Sequence, residues 1–117
     1  MTMREFYNAA GGDYEDVIDR LHSEDIVLHF LQRFIDDPIF DELQSAIDSG
    51  DQQKAFTIIH TFKGTCINMG LGNLTLAAQN LTEALRAAIT ADAATLLEEL
   101  RQEYAAVVDG VKTLEEA

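Results

Sequence analysis

Hydrophobic residues recur along this chain at intervals of three and four, the period of helices that bury one face. The clearest case lies at residues 55–70, where the stripe comprises Ala55, Ile59, Phe62, Cys66 and Met69. Gly50 and Asp51 precede it as a helix terminator and an N-cap, and Gly70 follows it. The pattern therefore predicts a central helix from about residue 52 to 69.

Before this helix, the sequence predicts a short helix and then a long one. Residues 1–12 are weakly patterned and end in two glycines. Asp13 and Ser23 are suited to cap the helices that follow them. Pro38 either kinks one helix or opens a second one at its first turn. Because hydrophobic periodicity resumes after the proline, we predict one long, bent helix from about 24 to 49.

Two further helices are predicted after Gly70. The first would be capped by Asn73 and run to about residue 90, with a stripe of Leu74, Ala78, Leu81, Leu85 and Ala88. The second would be capped by Asp92, with a stripe of Leu97, Leu100, Tyr104, Val107, Val111 and Leu114. No segment alternates with the period of two that strands show. The expected fold is all-α: an antiparallel, up-and-down four-helix bundle at residues 23–117 with a short N-terminal helical lid at residues 1–22.

The length of 117 residues and the single cysteine limit the kinds of protein that this chain could be. This length suits one domain, residues 1–117, and one cysteine excludes an internal disulfide. No apolar run approaches the roughly 20 residues that span a bilayer. The N-terminus lacks the apolar core of a secretory signal. We expect a monomeric, cytoplasmic protein.

Acidic residues outnumber basic ones by 21 to 8, which gives a formal net charge of −13. Such a charge repels phosphate backbones and anionic lipids, so we expect neither nucleic acid nor a membrane as a partner. The charges are unevenly spread. From Ala55 to Thr82 the only formally charged side chain is Lys63, where average composition predicts about seven. This carboxylate-free stretch contains His60.

His60, Lys63 and Gly64 form the candidate reactive group. Helical geometry places the three within about one turn of each other, beside the hydrophobic stripe. A histidine that is neutral at pH 7 has a free nucleophilic nitrogen, which can accept a phosphoryl group and release it again. The ammonium of Lys63 could then bind the phosphoryl oxygens. Gly64 costs about 1 kcal/mol relative to alanine in a helix interior; it would give access to His60, or else permit a close helix contact.

Other residues near His60 allow two interpretations. Phe56, Thr57 and Ile67 flank the histidine, either as peripheral core or as a surface for partner docking. An exposed apolar patch at this place favours docking. Cys66 falls on the buried stripe, so we expect a core residue rather than a reactive thiol. The sequence shows no full set of metal ligands, so we expect no metal site.

The segment from His60 to Thr65, HTFKGT, resembles the H-x-x-K-G-[ST] signature of histidine-containing phosphotransfer (HPt) domains. The resemblance extends over nearly the whole chain and includes the break at Gly50-Asp51. It implies a phosphorelay intermediate, in which His60 accepts a phosphoryl group from a receiver-domain aspartate or a histidine kinase and passes it to another receiver. In such relays the Mg²⁺ and most catalytic groups belong to the receiver. The resemblance therefore implies a phosphocarrier without a cofactor of its own, not an enzyme.

One position departs from the family pattern. Some relatives carry Gln or Glu 22 residues after the phosphorylated histidine, facing it from the next helix, where this chain has Thr82. Gln79, one turn earlier, is the candidate substitute and joins Phe56, Thr57 and Ile67 as a docking residue. The alternative function is a four-helix interaction or adaptor domain whose histidine is never phosphorylated. A kinase fragment is disfavoured because no ATP-binding glycine motif is present.

Overall fold

The computed structural model describes residues 1–116, which form helices and contain no strand. The helices are α1 (Met3–Ala9), α2 (Tyr14–Leu21), α3 (Glu24–Asp36), α4 (Ile39–Asp48), α5 (Gln52–Asn68), α6 (Gly72–Ala84) and α7 (Ala91–Glu116). The expected all-α class is confirmed. The last residue of the predicted bundle range, 23–117, lies outside the described residues.

The predicted helix starts are confirmed at three positions. The side-chain oxygens of Asp13, Ser23 and Asp51 each accept a hydrogen bond from the backbone N–H three residues later, in the first turns of α2, α3 and α5. Such a bond satisfies a donor that the helix itself leaves unpaired. Gly50 and Gly70 adopt φ angles of 77° and 72°. These left-handed glycines end α4 and α5 as expected.

The prediction of one helix from 24 to 49 is wrong, because this segment forms two helices. Asp37 is extended, with ψ of 130°, and Pro38 is the N-cap residue of α4. A proline ring disfavours helical geometry in the residue before it, so the break falls at Asp37. The Asp37 carboxylate then accepts a hydrogen bond from the backbone N–H of Ile39 at 2.9 Å, which supports the new helix start.

The weak hydrophobic pattern of residues 1–12 gives no sign of α1. A reciprocal capping box begins this helix: the Thr2 hydroxyl accepts from the Glu5 N–H, and the Glu5 carboxylate accepts from the Thr2 N–H. Its buried side chains are Met3, Phe6 and Tyr7. Local capping and burial against the other helices therefore stabilise α1 together.

Helix α6 ends at Ala84 instead of near residue 90, and Ala88 is exposed. The Gln52 side chain of α5 donates to the backbone carbonyls of Leu85 and Arg86. These contacts satisfy acceptors that the end of a helix leaves free. The end of α6 is thus set by a side chain from the preceding helix.

Asn73 and Asp92 are not the N-caps that we predicted. Leu71 is the N-cap residue of α6, and the Asn73 amide, inside that helix, donates to the backbone carbonyl of Ala9 at 3.2 Å. Helix α7 begins at Ala91, so Asp92 lies in its first turn. A carboxylate there is still favourable, because the N-terminal end of a helix carries a partial positive charge.

Helix α5 is central to the packing, since it contacts α4 and α6, and α6 in turn contacts α7. On its buried side, aromatic rings from α3, α4, α5 and α7 meet at centroid separations of 5.1 to 6.4 Å: Phe34, Phe40, Phe62 and Tyr104. Aromatic pairs at such distances add to the free energy of burial. The cluster fixes which face of α5 points inward, and hence which face points outward.

The N-terminal helices are attached to the end of α5 by hydrogen bonds. The buried Tyr7 hydroxyl donates to the backbone carbonyl of Met69 at 2.7 Å. Arg20 donates to the backbone carbonyl of Asn68 at 2.8 Å. Both acceptors lie at the C-terminal end of α5, where backbone carbonyls have no partner within the helix.

The loops at residues 10–12 and 70–72 also pack backbone against backbone. A Cβ atom at Gly12 would lie 2.2 Å from the carbonyl oxygen of Gly70, and one at Gly72 would lie 2.1 Å from the carbonyl oxygen of Gly11. Only glycine allows so close an approach. The two loops therefore form a single contact that joins α1 and α2 to the turn between α5 and α6.

Candidate functional site

His60 lies on the outward face of α5. Its neighbours on the stripe, Ile59 and Phe62, are buried, whereas the His60 side chain is exposed. The ring of Phe56, one turn earlier, stacks with the imidazole at a centroid separation of 6.0 Å and an interplanar angle of 14°. The imidazole is thus open to solvent on one side and lined by an aromatic ring on another.

A run of polar side chains crosses from α5 to α6 beside His60. The Lys63 ammonium is half-buried and donates to the Gln79 side-chain oxygen at 3.0 Å. The Gln79 amide nitrogen donates to the Glu83 carboxylate at 3.2 Å. Glu83 in turn pairs with the Arg86 guanidinium at 2.8 Å. The amide of Gln79 is therefore oriented from both ends, with its oxygen facing the lysine.

This run of side chains contains two cations and one carboxylate. The hydrogen bond from Arg86 lowers the pKa of Glu83, with further contributions from the charges of Arg86 and Lys63. The same pair raises the pKa of Arg86. Glu83 is ionised at neutral pH, and its charge is compensated within the run. The side chains next to His60 therefore remain electropositive in an acidic protein.

Arg86 is a residue that sequence reasoning missed. Its guanidinium carbon lies 5.5 Å from the centre of the Phe56 ring, which itself stacks with His60. One sequence signal could have identified it: Arg86 is the first cation after Lys63, three residues after Glu83 at the end of the uncharged stretch. The i, i+3 spacing predicts a guanidinium paired with Glu83, but not its contact with Phe56.

Gly64 has open space where a side chain would be. No heavy atom lies within 4 Å of the position that its Cβ would occupy. A glycine that permits close helix packing would have backbone or side-chain atoms at that position, so the packing explanation is excluded. No side chain therefore covers the surface beside His60 at Gly64, one turn further along the helix.

A family model for the Hpt domain matches residues 28–110. The chain belongs to the Hpt domain family. The match begins inside α3 and ends inside α7, so α1 and α2 lie outside it. Hpt domains are phosphocarrier modules that interact with receiver domains and kinases in two-component phosphorelays. Comparisons with curated proteins and with solved structures gave no match.

Some Hpt domains present Gln or Glu to the histidine from the next helix. In this chain a buried threonine occupies that position. Thr82 is fully buried, and its hydroxyl donates to the backbone carbonyl of Ala78 at 2.6 Å. Gln79 is half-buried and contacts Lys63 and Glu83. A glutamine is therefore present on the facing helix one turn earlier, and it binds the lysine of the Hpt signature.

The residues of this chain that were predicted to contact a docked partner differ in how far their side chains are exposed. Phe56 is half-buried, and Thr57 is exposed with its hydroxyl donating to the Gln53 carbonyl at 3.0 Å. Ile67 is 53% exposed. Leu76 of α6, which the sequence analysis missed, is 63% exposed. The sequence did contain a signal for this residue, because Leu76 is a leucine outside the hydrophobic stripe of its helix.

Cys66 is fully buried, and this burial raises the pKa of its thiol to about 12. The prediction that Cys66 is a core residue is confirmed. The other two histidines, His22 and His29, are exposed on the surface. Within residues 1–116, no group of three or more His, Cys, Asp or Glu side chains is placed to hold a metal ion. Over the same residues, no helix has the length and apolar character that crossing a membrane requires.

Proposed function

We propose that this Hpt domain is a phosphorelay intermediate that carries a phosphoryl group on His60. It would accept the group from the aspartate of a receiver domain, or from a histidine kinase, and pass it to the aspartate of another receiver. The observation that carries the proposal is the exposed imidazole of His60 beside Lys63 and the open position at Gly64.

The transfer step exchanges one bond to phosphorus for another. The unprotonated ring nitrogen of His60 attacks the phosphorus of an aspartyl phosphate, the N–P bond forms, and the O–P bond breaks with its electron pair on the leaving carboxylate. The reverse step, onto a second receiver, restores the imidazole. The Mg²⁺ that assists such transfers would be held by the receiver and not by this chain. The protein is thus a phosphocarrier with no cofactor of its own.

Lys63 and Gly64 have separate roles in this proposal. The bound phosphoryl group carries roughly two negative charges, and the Lys63 ammonium stabilises it as a mobile cation. Gly64 keeps the approach to His60 clear for the receiver. The surrounding residues Phe56, Thr57, Ile67 and Gln79 form the docking surface, which the 53% exposure of Ile67 supports.

We further propose the architecture in which this site lies. Residues 1–117 form one domain: an antiparallel, up-and-down bundle at residues 23–117, in which the broken pair α3–α4 counts as one helix, and a lid at residues 1–22. The contact of Gln52 with the end of α6 supports the antiparallel hairpin of α5 and α6. The hydrogen bond from Tyr7 to the end of α5 supports the lid. The protein would act as a monomer in the cytoplasm.

Phosphotransfer from a labelled receiver tests the assignment of His60. The wild-type protein, His60→Gln, His22→Gln and His29→Gln are each incubated with a receiver carrying ³²P-aspartyl phosphate. The last two are matched controls, because both histidines are exposed but lack the Lys/Gly neighbourhood. We expect acid-labile, base-stable label on the wild type and both controls, and none on His60→Gln. Undiminished labelling of His60→Gln would reject the assignment, and a wild type that binds receivers without taking label would be an adaptor.

A further inference from the structure

The ring of Phe56 is close to both His60 and Arg86. Its ring stacks with the imidazole of His60, one turn later on α5, at 14° between the planes. The Arg86 guanidinium carbon lies 5.5 Å from the centre of the same ring. The Gln52 side chain, one turn before Phe56, donates to the Arg86 backbone carbonyl at 3.2 Å, which places the arginine near the beginning of α5. The same aromatic ring is therefore close to both side chains.

Arg86 is oriented by an ion pair at the protein surface. Its guanidinium donates twice to the Glu83 carboxylate, from Nε at 3.3 Å and from a terminal nitrogen at 2.8 Å. A two-point contact of this kind fixes the plane of a guanidinium as well as its position. Glu83 also accepts from Gln79, which holds Lys63. Contacts thus run without a break from Lys63 through Arg86 and Phe56 to His60.

An exposed imidazole needs such support. Its side chain can rotate between staggered positions about χ1 and turns broadly about χ2. In-line attack on phosphorus requires one ring nitrogen to point at the donor, and an error of about 1 Å can cost a hundredfold in rate. Phe56 restricts the ring from one side while leaving its edge open to solvent.

We propose that Phe56 is a positioning residue for His60 and that Arg86 holds Phe56 in place. The proposal rests on the proposed function for its consequence in transfer, but its structural part concerns the free protein. It gives Phe56 a role within the domain that is distinct from contact with a docked receiver. A docking residue changes how tightly the receiver binds, whereas a positioning residue changes the rate once the receiver is bound.

Phe56→Leu and Phe56→Tyr separate these roles. Leucine keeps an apolar side chain without a ring, and tyrosine restores the ring. Transfer is measured against receiver concentration to give the rate at saturation and the half-saturating concentration. We expect Phe56→Leu to lower the saturated rate roughly tenfold, whatever its effect on the half-saturating concentration, and Phe56→Tyr to keep the saturated rate of the wild type. An unchanged saturated rate, with only the half-saturating concentration altered, would leave Phe56 a docking residue alone and overturn the proposal.

Arg86→Gln and Arg101→Gln test the second part. Arg101 is a matched control, since it also lies over an aromatic ring, that of Phe40 at 5.1 Å, but in contact with α4 instead of the site. We expect Arg86→Gln to lower the saturated rate by roughly threefold and Arg101→Gln to leave it unchanged. Equal effects of the two variants would remove Arg86 from the proposal.

NMR relaxation of the His60 ring carbons distinguishes failure of this inference from failure of the proposed function, because it needs no partner. We expect the ring to move more freely in Phe56→Leu than in the wild type or Phe56→Tyr. If no receiver phosphorylates the wild type, the proposed function fails while increased ring motion in Phe56→Leu still supports positioning. Identical ring motion in all three proteins would reject it.

Discussion

In the unphosphorylated protein, Lys63 is held by a hydrogen bond to a neutral group, which leaves its charge available. Its ammonium donates to the neutral side-chain oxygen of Gln79. A hydrogen bond to a doubly charged phosphoryl group is stronger than one to a neutral amide. Phosphorylation of His60 would therefore draw Lys63 from Gln79 without a competing salt bridge to break. A carboxylate at position 79 would hold the lysine more firmly.

Lys63→Ala should affect transfer more than folding. It removes one half-buried hydrogen bond, whose net contribution to the free energy of unfolding is about 0.5–1.5 kcal/mol. The lifetime of the phosphohistidine should shorten, or its transfer should slow, because the phosphoryl charge loses its partner. Lys54→Ala, an exposed lysine in the first turn of the same helix, is the control. Equal phosphohistidine lifetimes in the two variants would show that Lys63 acts only as surface charge.

The glycines at positions 64 and 110 lie inside helices but have different surroundings. A Cβ at Gly64 meets no atom within 4 Å, whereas one at Gly110 would lie 2.8 Å from the Phe6 ring. Gly64→Ala should therefore raise the free energy of unfolding by up to about 1 kcal/mol through helix propensity. Gly110→Ala should lower it by roughly 1–3 kcal/mol through overpacking. Thermal melting of the two variants checks both signs.

Gly64→Gln then separates access from stability. Glutamine is a good helix former, so this variant should melt no lower than the wild type. Its side chain would cover the approach to His60 from one turn away, and phosphoryl acceptance should slow strongly. A variant that melts normally and accepts label at the wild-type rate would show that the open space at Gly64 does not serve access.

At the candidate site, the sequence predicted the residues of α5 and named Gln79 on the next helix, but it did not predict the contacts between the two helices. His60, Lys63 and Gly64 follow from spacing along α5. The pairing of Lys63 with Gln79 depends on the register between α5 and α6, which local periodicity does not determine. Arg86 lies beyond the end of α6, and its position depends on the contact from Gln52. Side chains brought together by tertiary packing are therefore the part that the sequence alone left out.

The same distinction between local signals and tertiary contacts applies to the helices of the fold. The starts of α2, α3 and α5 were predictable because a cap is a local hydrogen bond between near neighbours in sequence. The capping box at Thr2 was equally local, but α1 has too few turns to show a periodic stripe. The end of α6 was not predictable, since Gln52 from another helix satisfies it. The break at Pro38 required a choice between two outcomes that periodicity does not distinguish.

Helix α5 depends on α1 and α2 for the hydrogen bonds at its C-terminal end. Tyr7→Phe removes the hydroxyl that donates to the Met69 carbonyl and leaves a buried acceptor without its partner. The free energy of unfolding should fall by about 1–3 kcal/mol. Backbone amides in the last turn of α5 should exchange hydrogen faster, while those around His60 change little. Tyr14→Phe, at a tyrosine on α2 that bonds the Glu24 carboxylate at the surface, should leave the exchange in α5 unchanged.

For the whole molecule, the net charge of −13 is a source of self-repulsion. The structure places exposed carboxylates on most helices but leaves the outward face of α5 without them between Ala55 and Asn68. A receiver would thus meet a less negative surface at His60 than elsewhere. The charge distribution favours approach to this face through reduced repulsion.

Screening that self-repulsion should stabilise the fold. We expect the melting temperature to rise as NaCl is increased from roughly 0.01 to 0.15 M and then to level off, since the Debye length falls from about 30 to 8 Å over this range. The four exposed ion pairs found among residues 1–116 would weaken in salt, but each contributes little. A melting temperature that falls over the same range would mean that these pairs outweigh the repulsion.

The contact between the loops at residues 10–12 and 70–72 is made by neutral backbone atoms. Gly12 and Gly70 meet backbone to backbone, and the Asn73 N–H donates to the Ala10 carbonyl at 2.9 Å to join the same two loops. Acidification or high salt, which alters the paired charges next to His60, therefore leaves this attachment unchanged. The charged Arg20 also holds this end of α5, but the backbone contact does not depend on ionic strength. Changes in salt that act on the charges next to His60 therefore leave one of the attachments of its helix in place.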